Sequence, residues 1–308
     1  MARKRKRRNT GPRASALLWL LLAASLAVIA YAWLHPARAP RQHAARHTVA
    51  APPGAPEATA PAPVQSSPEA PGAATAVPAT TAPSPAPSAA SARLAIIIDD
   101  CGQWLDTERG FIALPVALTL SVLPDVRYNH TIEREAAAAG KGVMLHLPME
   151  TLSGLDPGPG KVTTAMDDAA IAAQVEHDLA DVDLAQGVNN HEGSKGSADA
   201  RVMGDVAAVL AQRGRFFIDS RTNPRSVGEA TAREHGVPSA ARDVFLDNTA
   251  DVDFTEAQLR RAAAIAKAHG SAIAIGHPRP TTLTAVRAMI AQLQADGITF
   301  VPASELVR

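Results

Sequence analysis

Short apolar runs of three to seven residues recur through the last two thirds of the chain, separated by longer stretches in which apolar residues return every third or fourth position. The short runs read as buried strands and the longer stretches as amphipathic helices. The strands expected are Leu94–Ile98, Val116–Val122, Val143–Leu147, Gly187–Asn189, Phe216–Ile218, Val244–Leu246, Ala272–Ile275 and Ile298–Val301. Helices are expected over Ile132–Ala139, Ala169–Leu179, Val202–Gln212, Leu259–Ala268 and Leu283–Leu293. Gly140, Gly214, Gly270 and Gly297 follow four of these as C-caps, while Asp199 and Thr255 read as N-caps. Alternation of this kind builds a parallel β/α architecture. Eight strands in one modest domain predict a closed or nearly closed β/α barrel, with an open sheet as the other arrangement that periodicity permits. In both, a site belongs beyond the C-terminal ends of the strands.

The first third has no such pattern. Residues 1–15 form a basic tail, with Arg3 to Arg8 all basic, Arg13 behind them and no acid. Residues 16–34 carry no charge and are close to the roughly 20 that cross a hydrocarbon core as helix. A basic flank running straight into an apolar span predicts a single-pass signal anchor in the inner (cytoplasmic) membrane, with the tail in the cytoplasm and the rest on the periplasmic or extracytoplasmic side. Trp19, Tyr31 and Trp33 near its ends fit membrane interfaces. The competing reading is a cleaved signal peptide ending near Ala37-Arg38-Ala39. The apolar stretch exceeds the roughly 7–15 residues usual for that class, which favours the anchor. Residues 35–92 are dominated by Ala, Pro, Ser, Thr and Gly and offer no core, so they read as a disordered, extended spacer. The net charge of zero hides this asymmetry, and nothing points to nucleic acid as a partner. Residues 93–308 then form one domain of ample size. Its single cysteine, Cys101, excludes an internal disulfide and reads first as a small core residue, although pairing between chains or metal ligation is also open.

Polar clusters close almost every strand: Asp99-Asp100, His146, His191, Asp219, Asp247-Asn248 and His277. Burying unpaired charge is costly, so repeated placement at strand ends predicts one shared rim. Adjacent carboxylates such as Asp99 and Asp100 point different ways, which lets one hold a cation while the other moves protons. Taken alone, the pair could equally cap a helix before Cys101-Gly102-Gln103, and a lone histidine is more often a hydrogen-bonded structural residue than a ligand. Two histidines together with an Asp, leaving a position for water, form a common catalytic site for zinc or a related divalent ion.

The order of these motifs also carries a resemblance. The series Ile98-Asp99-Asp100, His146-Leu147-Pro148-Met149-Glu150, Asn189-Asn190-His191-Glu192-Gly193-Ser194, Asp219-Ser220-Arg221-Thr222, Phe245-Leu246-Asp247-Asn248 and Ile275-Gly276-His277-Pro278 closely resembles the divergent polysaccharide deacetylase family. That family is a distant branch of the carbohydrate esterase family 4 deacetylases. The resemblance spans Leu94 to Leu306. It implies a distorted β/α barrel, usually counted as seven-stranded, hence seven to eight strands here, and a divalent metal, with zinc the ion expected first, that serves removal of acetyl from N-acetylated sugars of the cell envelope.

By position, Asp99 matches the general base, Asp100 the metal-binding aspartate, and His146 the first histidine of the superfamily's H-x-x-x-H motif. Glu150 stands where the second histidine belongs, so either Glu150 or His191 completes the metal shell, with His191 favoured and Glu150 then an extra ligand or a partner of the ligands. His277 matches the late histidine that acts as general acid, its proton held by Asp247 or Asp219, and Arg221 is the residue available to orient Asp99. The superfamily's R-x-P-x-G and D-x-x-D-W segments are absent in recognisable form, and only Trp104 and Tyr128 offer large aromatic surfaces within the domain for stacking on sugar. Two other functions fit the same chain: a membrane-tethered envelope binding or scaffold protein without turnover, and a metal-dependent hydrolase of another amide or ester bond.

Overall fold

The computed structural model describes residues 92–308. The basic tail, the expected membrane span and all but the last residue of the linker lie outside the described residues. Among the described residues no helix is long and apolar enough to cross a membrane.

Strand β1 (Ala92–Cys101) sits at the centre of a wholly parallel sheet. The other strands are β2 (Thr119–Val122), β3 (Gly142–Met149), β4 (Gly187–Glu192), β5 (Phe216–Asp219), β6 (Ser239–Ala241), β7 (Val244–Phe245), β8 (Ser271–Gly276) and β9 (Ile298–Phe300). Their order is β6-β5-β4-β3-β2-β1-β8-β7, and β9 pairs with the beginning of β1. Only Arg242 and Asp243 separate β6 from β7. The Arg242 amide donates to Asp219 on the β5 side, and the Asp243 amide to Ile273 on the β8 side. One short extended segment therefore touches both ends of the path, and the sheet curls back on itself.

Among the described residues seven α-helices cover the outside: α1 (Leu105–Ile112), α2 (Asn129–Ala138), α3 (Asp168–Asp181), α4 (Ala200–Arg213), α5 (Gly228–Glu234), α6 (Val252–His269) and α7 (Pro280–Ala295). The expected helices correspond to α2, α3, α4, α6 and α7, the first running one residue past the end of α2, while α1 and α5, of eight and seven residues, are additional. Asp199 caps α4, accepting from the amides of Arg201 and Val202. Thr255 is not a cap: it lies inside α6, where its hydroxyl donates back to the carbonyl of Asp251, and Asp251 caps that helix instead.

The two faces of the sheet bury different sets of residues. Leu94, Ile96 and Ile98 of β1 join Val143, Leu145 and Leu147 of β3 against the helices. Ala95 and Ile97 of β1, Met144 of β3, Phe216 and Ile218 of β5, and Ile273 and Ile275 of β8 form a second cluster inside the curl. Strands covered on both faces read as unbroken apolar runs, as these do. Cys101 belongs to the outer cluster, where its thiol donates to the Ile98 carbonyl at 3.2 Å and burial pushes its pKa well up. It is a core residue.

Candidate active site

Side chains alternate across a strand, so the residues that continue the inner series past its last apolar member must point into the mouth of the curl. On β1 the series Ala95, Ile97 continues to Asp99. On β3, Met144 continues to His146; after β5, Ile218 continues to Ser220; after β8, Ile275 continues to His277. Asn189 and His191, two residues apart, share the inner face of β4, because Val188 just before them packs outward. Asp100 breaks the alternation. Its φ of 57° is left-handed, and the register of β1 against β2 shifts between Ile98 and Cys101, which turns the second acid into the same mouth. Neither acid caps α1. Glu108 holds that loop, its Oε1 accepting from the amides of Gly102, Gln103 and Trp104 at 2.8–3.0 Å.

Three ligand-type atoms converge there. Asp100 Oδ1 lies 3.2 Å from His146 Nε2 and 2.9 Å from His191 Nδ1, and the two imidazole nitrogens are 3.1 Å apart. Ligands bound at about 2.0 Å in a tetrahedral zinc shell stand about 3.3 Å from each other, so this triangle has the dimensions of one face of such a shell. Asp100 Oδ1 is buried and makes no hydrogen bond. That orphaned oxygen, beside two imidazole nitrogens, fits a cation. Burial acts to raise the pKa of Asp100, but the His146 and His191 imidazoles beside it outweigh that effect and hold the carboxyl far below the ordinary range.

Asn189 orders the cluster. Its Nδ2 donates to Asp99 Oδ1 at 2.8 Å and to Ser220 Oγ at 3.2 Å, which fixes the amide orientation. Its Oδ1, which also accepts from Ser121, must then accept from His146 Nδ1 at 2.8 Å. The proton of His146 is therefore on Nδ1 and the lone pair is on Nε2, the nitrogen facing Asp100. Asp99 is left with Oδ2 uncommitted, 3.6 Å from His146 Nε2. Burial, opposed by His146 and His277, raises the pKa of Asp99 above its usual value.

His277 faces this group from β8, its Nε2 4.0 Å from Asp100 Oδ2. Its Nδ1 is 2.8 Å from Asp247 Oδ1, and its backbone amide donates to Asp247 Oδ2, as does Thr282 Oγ1. Asp247 is fully buried. Burial acts to raise its pKa, yet His277 and Thr282 lower it, so the carboxylate stays ionised and fixes the His277 proton on Nδ1. Burial also works against a charged imidazolium at His277, but Asp247, Asp99 and Asp100 more than offset it and raise its pKa. The Phe245 ring stacks on His277 at 6.3 Å, and the Arg242 guanidinium lies 3.7 Å over Phe245 while donating to the carbonyls of Ser220 and Arg221. A cavity of ≈ 160 Å³ joins these groups, lined also by Glu192 and Thr222.

Three other residues read from the sequence as part of the site lie apart. Glu150 is turned away: its carboxylate accepts from Lys195 Nζ at 2.8 Å and from the amide and hydroxyl of Thr164 at 2.8 and 2.6 Å. Lys195 foremost lowers its pKa to about 2. Asp219 follows Phe217 onto the outer face, where it accepts from Ser226 and from the amides of Arg221 and Glu229 and so builds the turn after β5. Arg221 pairs with Glu229 rather than Asp99. Asn189, Ser121, Ser220, Phe245 and Arg242 were not singled out from sequence, although continuing the inner series along each strand would have found the first three.

Glu150→Ala is accordingly expected to leave cation binding at the rim unchanged while costing on the order of 1 kcal/mol in stability, because its partners are half-exposed. Since the folded pKa is depressed, that stabilisation is present above pH about 4.5 and disappears as pH falls toward about 2. Paired zinc titrations and denaturation curves of the two chains at both ends of that window check it.

The family profile described as divergent polysaccharide deacetylase matches residues 96–307. The chain belongs to the divergent polysaccharide deacetylase family. Two relatives share its sequence over most of the domain. One is an uncharacterized protein of Haemophilus influenzae, 35% identical over 209 residues that cover 68% of this chain and 75% of that one. The other is YibQ of Escherichia coli, also uncharacterized, 34% identical over 215 residues that cover 70% and 67% respectively. Among solved structures, the uncharacterized protein ATU2773 of Agrobacterium tumefaciens C58 has the same fold, with a TM-score of 0.68 at 22% identity over 72% of this chain and 92% of that one. The span matched to the family runs from β1 to the end of the domain, so every residue at the mouth of the curl lies within it.

Proposed function

We propose that this chain is a metal-dependent deacetylase that hydrolyses the acetamide of N-acetylated sugars in the cell envelope. The observation that carries the reading is the convergence of Asp100, His146 and His191 on one point, with Asp99 and His277 beside it. These three ligands present one carboxylate and two imidazoles, a donor set suited to zinc. When bound, such an ion polarises a carbonyl and makes water more acidic.

The chain's own residues do the rest. Asp99, its Oδ1 held by Asn189, accepts at Oδ2 a proton from the water that adds to the acetamide carbon. As the carbon–nitrogen bond breaks, His277 donates from Nε2 to the departing amine, while Asp247 steadies the imidazolium through Nδ1. Acetate and a free amino sugar result. The cavity is smaller than the roughly 300 Å³ of a site that encloses a whole small molecule. It suits an acetamido group reaching in from a glycan laid across the rim. Placement of the domain outside the inner membrane rests on the basic tail and the uncharged span at 16–34.

Acetate release from N-acetylated glycans and from peptidoglycan, measured with the full chain, tests the reading. Asp99→Asn is expected to lower the rate by about 10²–10⁴-fold, the usual worth of a positioned base. Zinc bound with no acetate released from any such substrate would leave a binding protein, and turnover of peptide amides or esters alone would leave a hydrolase of another bond.

A further inference from the structure

A second cluster lies away from the rim, between the turn that follows β2 and the C-terminal half of α3. Asp125, His177 and Asp178 each present a ligand atom, and these atoms lie within 4.8 Å of one another. His177 Nε2 stands 3.2 Å from Asp125 Oδ2, both at the surface. Asp178 is fully buried beneath them. Its Oδ1 accepts from Gln174 Nε2 at 2.9 Å, while its Oδ2 has no partner. A Cβ on Gly160 would come within 2.6 Å of Asp178 Oδ1 and 2.9 Å of Pro124, so the segment carrying Gly160 closes over this carboxylate from the other side.

An orphaned carboxylate oxygen in the interior costs free energy unless something satisfies it. The rim cluster shows the same signature, since Asp100 Oδ1 is also buried without a hydrogen bond among two imidazoles. The surroundings here are acidic as well. Asp181 accepts from the Asp125 amide at 2.7 Å and stands 3.4 Å from His130 Nε2, and Glu133 pairs with His130 and Arg134. Against Asp125, Asp178, Asp181 and Glu133 stand one arginine and two histidines.

We propose that Asp125, His177 and Asp178 form a second divalent-metal site, for zinc or a similar transition-metal ion, that pins the turn after β2 to α3. One imidazole with two carboxylates is a donor set for such an ion rather than for calcium or magnesium, which take oxygen alone. The site joins the β2–α2 turn, α3 and the segment around Gly160, and would add to the hold that Asp181 already has on the Asp125 amide. Its role is structural. It does not depend on the deacetylase reading.

Zinc titration of the metal-free full chain by calorimetry, with melting curves alongside, tests this. The native chain is expected to bind two equivalents, His146→Ala/His191→Ala to keep one, and His177→Ala or Asp178→Asn to keep the other. The His177 and Asp178 variants should lose part of the zinc-induced rise in Tm while retaining any acetate release the native chain shows. His177 is exposed, so its exchange should not disturb folding, and Asp178→Asn removes a buried unpaired charge and should melt no lower than the native chain without zinc. A single equivalent abolished by His146→Ala/His191→Ala overturns the proposal. So does a second equivalent that survives in both His177→Ala and Asp178→Asn. A single equivalent that survives His146→Ala/His191→Ala but not His177→Ala would uphold it and remove the rim site instead.

Discussion

Exchanging His146 and His191 together for alanine is expected to abolish zinc binding at the rim and to reduce acetate release by about 10³-fold or more, since loss of even one preorganised charge-stabilising group costs about 10²–10³. The two exchanges remove two of the three atoms that form the 2.9–3.2 Å triangle and leave Asp100 as a lone carboxylate. The fold should survive, because Asn189 keeps Ser121, Ser220 and Asp99 as partners. A milder exchange separates holding the ion from orienting its ligand. Asn189→Ala leaves all three ligand atoms in place but frees the His146 tautomer and the Asp99 carboxylate, and a partner of a metal ligand is typically worth about 10–100-fold in affinity. Zinc affinity by competition with a chelator, beside circular dichroism to confirm folding, reads both. Unchanged affinity in the double variant would mean that the triangle is not a metal site.

Much of this rim could be read from residue order, and the reason is the alternation of strand side chains. An apolar series such as Ala95, Ile97 or Ile273, Ile275 has to end where the curl opens, so the polar residue that follows it marks the mouth. The same rule misplaces Asp219 only when its strand is read as one apolar block: Phe216, Phe217 and Ile218 are all buried, but they face two different cores, and Asp219 shares the face of Phe217. Asp100 had no such signal. It reaches the mouth through a left-handed backbone and a register shift, neither of which periodicity records. Glu150 stands where a metal-binding histidine was expected, yet its two hydrogen-bonding partners, Lys195 and Thr164, come from loops far apart in sequence. Strand order was equally hidden, because the return of β6 and β7 to opposite ends of one sheet depends on a two-residue link rather than on any apolar pattern.

The second large effect concerns the proton donor. His277→Ala is expected to lower kcat/KM by about 10²–10⁴-fold, and its signature should be in the pH profile as well as in the rate. As a general acid, His277 works while protonated, so activity should fall as pH rises through a pKa held above 6.5 by Asp247, Asp99 and Asp100 against the effect of burial. As a base, Asp99 works while ionised, so activity should rise with pH through a value that burial holds above 3.8. The native profile is then a bell whose two limbs report coupled groups. Asp247→Asn tests the assignment without removing the imidazole. It takes away the hydrogen-bonded carboxylate that does most to stabilise the charged ring, so the alkaline limb should move to lower pH while the acid limb stays nearly in place. An alkaline limb that does not move in Asp247→Asn, or that persists in His277→Ala, would assign the proton to some other group. Movement of that limb alone ties the departing amine to His277 and makes the buried Asp247 its positioning residue.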